Sequence, residues 1–344
     1  MKIKDSGFWD TVTSFLDTYL VKNRSCSPNT VKSYAETLNL YLLFLSEVMK
    51  IPRQKVTWEC FRRQTILAFL DWLEKTRECS GPTQAQRLAA IRTFVRYGSV
   101  ADLRVMAIQA DVEKIEFKKP PGKLVEYLSR EELALFLTQP DCTRLTGRRN
   151  MVFLTLMYDS AARCQEMLDL RIQNLKLNGD NPAVYVTGKG RKTRGIPLMP
   201  RTAEHLRCYL RRFHPVKTRK ADDYVFYTHH LPQCRMSEDN VAVFVRKYGQ
   251  MAKKVCPSFP EGMHPHMIRH TRAMHLYQEG VPLATIADLL GHEQIETTRI
   301  YAFADTEMKR GATQKANCAF QDDSVEAVWN TDDEEMMQKL RGKK

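Results

Sequence analysis

A mainly α-helical protein of two domains, with one small β-hairpin or sheet in the second, is the fold class this sequence predicts, on three observations. The chain has 344 residues, more than the roughly 250–300 at which a single core stops growing. From Phe8 to about Val112, apolar residues recur at intervals of three and four, as one face of a helix requires. Strand-like runs are confined to one short stretch, residues 183–198.

In the first domain, Trp9, Val12, Phe15, Leu16 and Leu20 form an apolar helical stripe. Ser27-Pro28 is a cap residue followed by proline at the first turn, and it opens a long helix over Val31 to Met49. Further helices are expected over about 57–75 and 82–97, with a shorter one after them, so residues 1–116 make a four- or five-helix module. FKKPPGKLV at 117–125 reads as an extended basic linker, and the domain boundary is placed there. Ser129 and Glu132 form a capping box that restarts helical patterning, which continues through the apolar run Met151 to Tyr158. AVYVT at 183–187 and GIPL at 195–198 flank a loop of glycines and basic residues, GKGRKTR at 188–194, which predicts a hairpin with cations at its tip. Helices follow near 201–213, 237–255, 265–279, 282–290 and 295–304, giving a second domain over 126–304 and a tail over 305–344.

The 53 basic and 40 acidic side chains leave a net charge of +13, which favours a polyanionic partner, nucleic acid ahead of an anionic membrane surface. Residues 1–124 carry +7, residues 125–304 carry +8 and residues 305–344 carry −2, so the tail stands apart from two basic domains. No apolar run is long enough to span a bilayer and no leader pattern is present, so no membrane association and a cytoplasmic location are expected. Nine scattered cysteines without a C-x-x-C pair are expected to be reduced thiols, mostly filling the core.

Four segments of the second half combine into one pattern: AARCQEML at 161–168, GKG at 188–190, HMIRH at 266–270, and Gly291-His292 followed by TTRIY at 297–301. Taken in order they supply Arg163, Lys189, His266 with Arg269, His292, and Tyr301 nine residues later. In this the sequence resembles the tyrosine recombinase and phage integrase family. The similarity extends to Glu166 and Leu168 (R-x-x-E-x-L), to Arg194 and Pro197 after the hairpin lysine, and to LLGH at 289–292. The helical pattern of residues 1–116 is similar to that family's core-binding domain. The resemblance implies a C-shaped clamp around double-stranded DNA, a homo-oligomer that is a tetramer in synapsis, and work at the nucleoid. It implies no small-molecule substrate.

The residue types suit that chemistry. Exchanging a phosphodiester for a phosphotyrosine ester nearly conserves energy, so no nucleotide is needed, and no phosphate-binding P-loop motif is present. No cofactor or metal is expected. Tyr301 is the expected nucleophile, and the Arg163 and Arg269 forks suit the charge that builds on the nonbridging oxygens. Lys189, among neighbouring cations including Arg194, is the expected acid for the leaving 5′-oxygen. His266 and His292 remain to hold the phosphate and take the Tyr301 proton, His266 being the preferred base by the resemblance. His264 and His270 flank the H-x-x-R motif and are expected to be structural, and Glu166 is expected to hold Arg163 or another side chain in place. A zinc site on His266 and His270 is disfavoured, because Arg269 lies between them and the glutamate of H-E-x-x-H is missing.

Two alternatives stay open: a catalytically silent DNA-binding accessory protein, and a type IB topoisomerase-like enzyme, which the Gly-His motif disfavours. The long segment after Tyr301 tilts the reading toward a mobile element. Within it, Thr331 and Glu334 cap a short helix whose Met336, Met337 and Leu340 face needs a dock, in a neighbouring subunit or on its own domain.

Overall fold

The computed structural model describes residues 5–116, 125–188, 192–228 and 234–304. The chain divides into two compact units, residues 1–122 and 123–344. The expected linker, Lys189 and the tail helix fall on or largely on residues outside the described ones.

The first unit is wholly helical. Helix α1 (Ser6–Thr13) starts at Asp5, whose carboxylate accepts the Phe8 N–H, and it widens into a π-type helix over Ser14–Asn23. Helix α2 (Pro28–Glu47) begins where Ser27 accepts the Thr30 N–H, with proline at the first turn. The helix expected from 57 starts later: Trp58–Phe61 forms a 3₁₀ turn, Arg62 is extended, and α3 runs over Arg63–Lys75. Helices α4 (Gly81–Ala101) and α5 (Arg104–Glu113) complete the unit. Its core gathers Phe8, Phe15, Tyr41, Phe44, Phe61, Phe69 and Phe94, all at most 1% exposed. Each such side chain contributes about 1.5–3 kcal/mol by leaving water.

The second unit opens with α6 (Arg130–Leu137), closed at its start by the Ser129–Glu132 capping box, and α7 (Leu145–Ser160). A short helix, α8 (Cys164–Leu168), follows directly. Strand β2 (Ala183–Thr187) pairs antiparallel with β3 (Thr193–Pro197), Val184 opposite Ile196. The two-residue strand β1 (Leu175–Lys176) adds to the outer side of β2, making a three-stranded sheet rather than a bare hairpin. Helices α9 (Pro200–Phe213), α10 (Glu238–Val255), α11 (Pro265–Gln278) and α12 (Leu283–Leu290) follow it, and the segment expected as one helix from 295 is a 3₁₀ turn, Ile295–Thr297, before α13 (Arg299–Ala304).

Eight described cysteines are free thiols, but only Cys60 and Cys164 are buried, while Cys142, Cys208 and Cys234 are exposed. The expectation that most of them fill the core does not hold. Cysteine is compatible with either setting: Cys208 lies on the exposed side of α9, Cys142 in a turn before α7, and Cys234 in the segment ahead of α10. No described helix is long and apolar enough to cross a membrane.

Candidate active site

The end of α12 organises the site. Its last carbonyls have no partner within the helix and carry the negative end of the helix dipole. Three guanidiniums take three of them in succession: Arg194 Nε donates to Leu289 O at 3.0 Å, Arg269 Nη2 to Leu290 O at 2.6 Å, and Arg163 Nη2 to Gly291 O at 3.0 Å. Gly291 ends the helix at φ +64, and a Cβ there would stand 2.7 Å from Arg194 Nη1. Glycine is therefore required twice over, for the left-handed turn and for the space.

Arg269 is 3% exposed and also donates through Nη1 to Ala161 O at 2.6 Å. Ala161 is the left-handed cap of α7, at φ 48, so Arg269 staples the C-terminal ends of two helices. Burial, and then the Arg163 charge, lower the Arg269 pKa to about 10, which leaves it protonated at neutral pH.

Glu166, 4% exposed, is shared by two cations. Arg163 Nη1 donates to its Oε1 at 2.9 Å, while Arg194 Nη1 and Nη2 reach Oε1 and Oε2 at 3.1 and 2.8 Å. Burial pushes this carboxyl up, but the hydrogen bonds from Arg194 and from Arg163 outweigh it and hold the pKa below the usual range. Stripping a partner from a buried pair of this kind costs about 3–5 kcal/mol, because a charge is left unpaired.

Arg163, Arg194, Gly188, Gly291 and His292 line a cleft of about 670 Å³. His292 Nδ1 shares a hydrogen bond with Thr298 Oγ1 at 2.8 Å. Burial, then Arg269 and Arg163, push the His292 pKa down to about 4, so the ring is neutral above that pH. Tyr301 is fully buried and is not a lining residue of the cleft. It packs with Ala161, Ile286 and Leu290, its hydroxyl lies 2.9 Å from His270 Nδ1, and burial raises its pKa to about 12. His270 in turn is lowered to about 4 by burial, His266 and Arg269.

This constellation has counterparts among known proteins. The phage integrase family profile matches residues 126–308, and the phage integrase N-terminal SAM-like domain matches residues 12–98. An integrase/recombinase named y4rC of Sinorhizobium fredii is 33% identical over 306 residues, covering 88% of this chain and 90% of that protein. This chain belongs to the phage integrase family. The tyrosine recombinase XerC of Chlamydia caviae is 27% identical over 329 residues, 88% of this chain and 97% of its own length. Among solved structures, a XerH site-specific recombinase bound to difH substrate matches with a TM-score of 0.61 at 21% identity, over 91% of this chain and 89% of that one. The Tn1549 transposon integrase in complex with transposon right end DNA gives 0.68 at 12% identity, over 89% and 99%. These two likenesses show the fold, a two-domain, mainly helical one. As a family member the chain is an enzyme of site-specific DNA cleavage and rejoining.

Five of the six residues singled out from the sequence can be placed in this phage integrase fold. Arg163, Arg269 and His292 gather at the end of α12, and His266 lies on α11 one turn before His270, the two rings 6.4 Å apart. Tyr301 is next to this group but turned into the core, and Lys189 lies outside the described residues. His264 caps α11, its Nδ1 accepting the Met267 N–H, which fits the structural role expected of it. His270 differs from expectation. It, and not His266, is the hydrogen-bond partner of the Tyr301 hydroxyl among the described contacts. A helical count could have hinted at this, since 266 and 270 share a face, but nothing in the sequence says which of the two meets a side chain 31 residues further on. Arg194, read from the sequence as one cation of the hairpin, is instead neutralised by Glu166.

Proposed function

We propose that this enzyme cleaves double-stranded DNA by attack of Tyr301 on a phosphodiester, forming a 3′-phosphotyrosine and releasing a 5′-hydroxyl. The observation that carries the reading is the convergence of Arg163, Arg269 and His292 on one helix end. Two planar forks and a neutral imidazole next to an open cleft suit a phosphate whose nonbridging oxygens gain charge in a five-coordinate transition state. Burial lowers the pKa of both His270 and His266, and His270 touches the Tyr301 hydroxyl, so a neutral imidazole is available to take the phenolic proton. Lys189 is assigned the proton for the leaving oxygen. Attack requires the Tyr301 hydroxyl to leave His270 and enter the cleft, giving up the packing of its ring. Rejoining is the same exchange reversed, the 5′-hydroxyl displacing the tyrosine, so no cofactor enters the balance.

Two basic segments, residues 1–124 at +7 and residues 125–304 at +8, support a clamp with contacts from both domains to the phosphate backbone, and the family supports a tetramer in synapsis, with a mobile element as the setting. The test is a suicide substrate whose cleaved strand diffuses away. Wild-type protein should accumulate a covalent protein–DNA adduct, and Tyr301→Phe should bind the same DNA with unchanged affinity and form none. An adduct persisting in Tyr301→Phe moves the nucleophile elsewhere, while none in the wild type favours the silent accessory protein.

A further inference from the structure

We propose that Arg194 is a positioning residue for cleavage, which engages the Glu166 carboxylate so that the Arg163 fork is free to bind the scissile phosphate. The inference rests on the role given above to Arg163. The geometry that carries it is an inequality. The Arg194 guanidinium meets both oxygens of Glu166, at 3.1 and 2.8 Å, whereas the Arg163 guanidinium meets only Oε1, at 2.9 Å, and keeps Nη2 on a backbone carbonyl at the cleft, the Arg163 backbone N–H taking Oε2 at 2.9 Å. Arg194 has 17% of its side chain exposed against 34% for Arg163, so the buried fork compensates the carboxylate and the more open one faces the DNA side.

Two glycines keep room for this arrangement. A Cβ at Gly291 would collide with the Arg194 guanidinium, and one at Gly188 would press on Glu166 Oε1 at 3.1 Å. Arg194 Nε is fixed on Leu289 O, so the fork cannot swing into the cleft without giving up that bond. Without Arg194, an almost fully buried carboxylate would have Arg163 as its remaining hydrogen-bonding cation, and a bidentate pair there would withdraw both Arg163 nitrogens from the phosphate. The local charge would also drop by one in a cleft that must hold a transition state carrying nearly two negative charges.

The test uses the full-length protein and three scissile groups: an ordinary phosphodiester, a methylphosphonate lacking one nonbridging charge, and a 5′-bridging phosphorothiolate. Removing a donor that touches the developing charge costs about 10²–10³-fold, so Arg194→Met, acting through another residue, should slow adduct formation on the phosphodiester by about 10- to 100-fold. On the methylphosphonate, where an Arg163 deficit matters less, the gap to wild type should shrink to about three-fold or less. The phosphorothiolate, which relieves only leaving-group protonation, should not close it. Arg194→Lys should stay impaired, because a point charge cannot span both oxygens. The double variant Arg194→Met/Glu166→Gln should recover activity over Arg194→Met alone, since it removes the charge that captures Arg163; it also keeps the test alive should the single variant fold poorly. An equal deficit on all three substrates, closure by the phosphorothiolate, or a double variant no better than the single one overturns the proposal. None of these outcomes depends on which tyrosine is the nucleophile, so they separate from a failure of the Tyr301 assignment.

Discussion

At the scale of single residues, His270 and His292 sit where burial penalises a charged ring, helped by His266 and Arg269 for the first and by Arg269 and Arg163 for the second, and both pKa values fall to about 4. An unfolded histidine titrates near 6.5. Between those limits the unfolded chain binds more protons than the folded one, so stability is full above about pH 6.5 and is lost as the pH falls toward 4, after which the two states are protonated alike. Urea midpoints of the second domain should therefore drop steadily between pH 6.5 and 4. The drop should be shallower in His270→Gln, where the amide can still meet the Tyr301 hydroxyl. Superimposable acid limbs for the two proteins would show that His270 titrates normally. Ala161 belongs to the same scale: a non-glycine residue at φ 48 stores about 1–2 kcal/mol, and the site spends it on aiming a carbonyl at Arg269 while its methyl packs beside Tyr301.

At the scale of elements, helices close through small residues where the sequence offers two opposite arguments. Gly98 lies inside α4, and replacing it by alanine should gain about 1 kcal/mol from helix propensity. A Cβ there would stand 2.2 Å from Trp58 Cη2, and that ring is pinned by stacking on Phe94 at 5.0 Å and by an edge contact with Phe8 at 5.2 Å. Overpacking of a fixed core typically costs about 1–3 kcal/mol, so Gly98→Ala should lower the stability of the first domain by up to about 2 kcal/mol. Tryptophan fluorescence follows this, since Trp9, Trp58 and Trp72 all lie in that unit. A raised midpoint would mean that propensity outweighs the Trp58 contact. The end of α12 shows the opposite use of an element boundary. Three carbonyls that a helix cannot satisfy by itself become the seat of three arginines, and the dipole offsets part of their mutual repulsion.

At the scale of the whole molecule, charge is divided between the two units and not concentrated in one, with the acidic excess confined to residues 305–344. If both units contact the backbone, the logarithm of affinity should fall linearly with the logarithm of salt, by about 0.9 per phosphate neutralised. Residues 1–122 and the full chain should then differ in slope, the full chain being steeper by several phosphates. Equal slopes would restrict backbone contact to the first unit and remove the support for a clamp.

Much of this protein was legible in the sequence because it depends on local spacing. Serines 27 and 129 cap the helices they precede, the strand at 183–187 falls where β-branched residues and tyrosine alternate, and the order Arg163, Lys189, His266, Arg269, His292, Tyr301 announces one chemistry. The two-residue strand β1 was not legible, being too short to show a period. Tertiary structure alone decided who meets whom. Glu166 is shared with Arg194 across 28 residues, Arg269 is spent on Ala161 across 108, and Tyr301 rests on His270 and not on the neighbour one turn away. A hydrogen bond is chosen within about 3 Å, a distance set by how helices pack, whereas the sequence records only that donors and acceptors of the right kind exist.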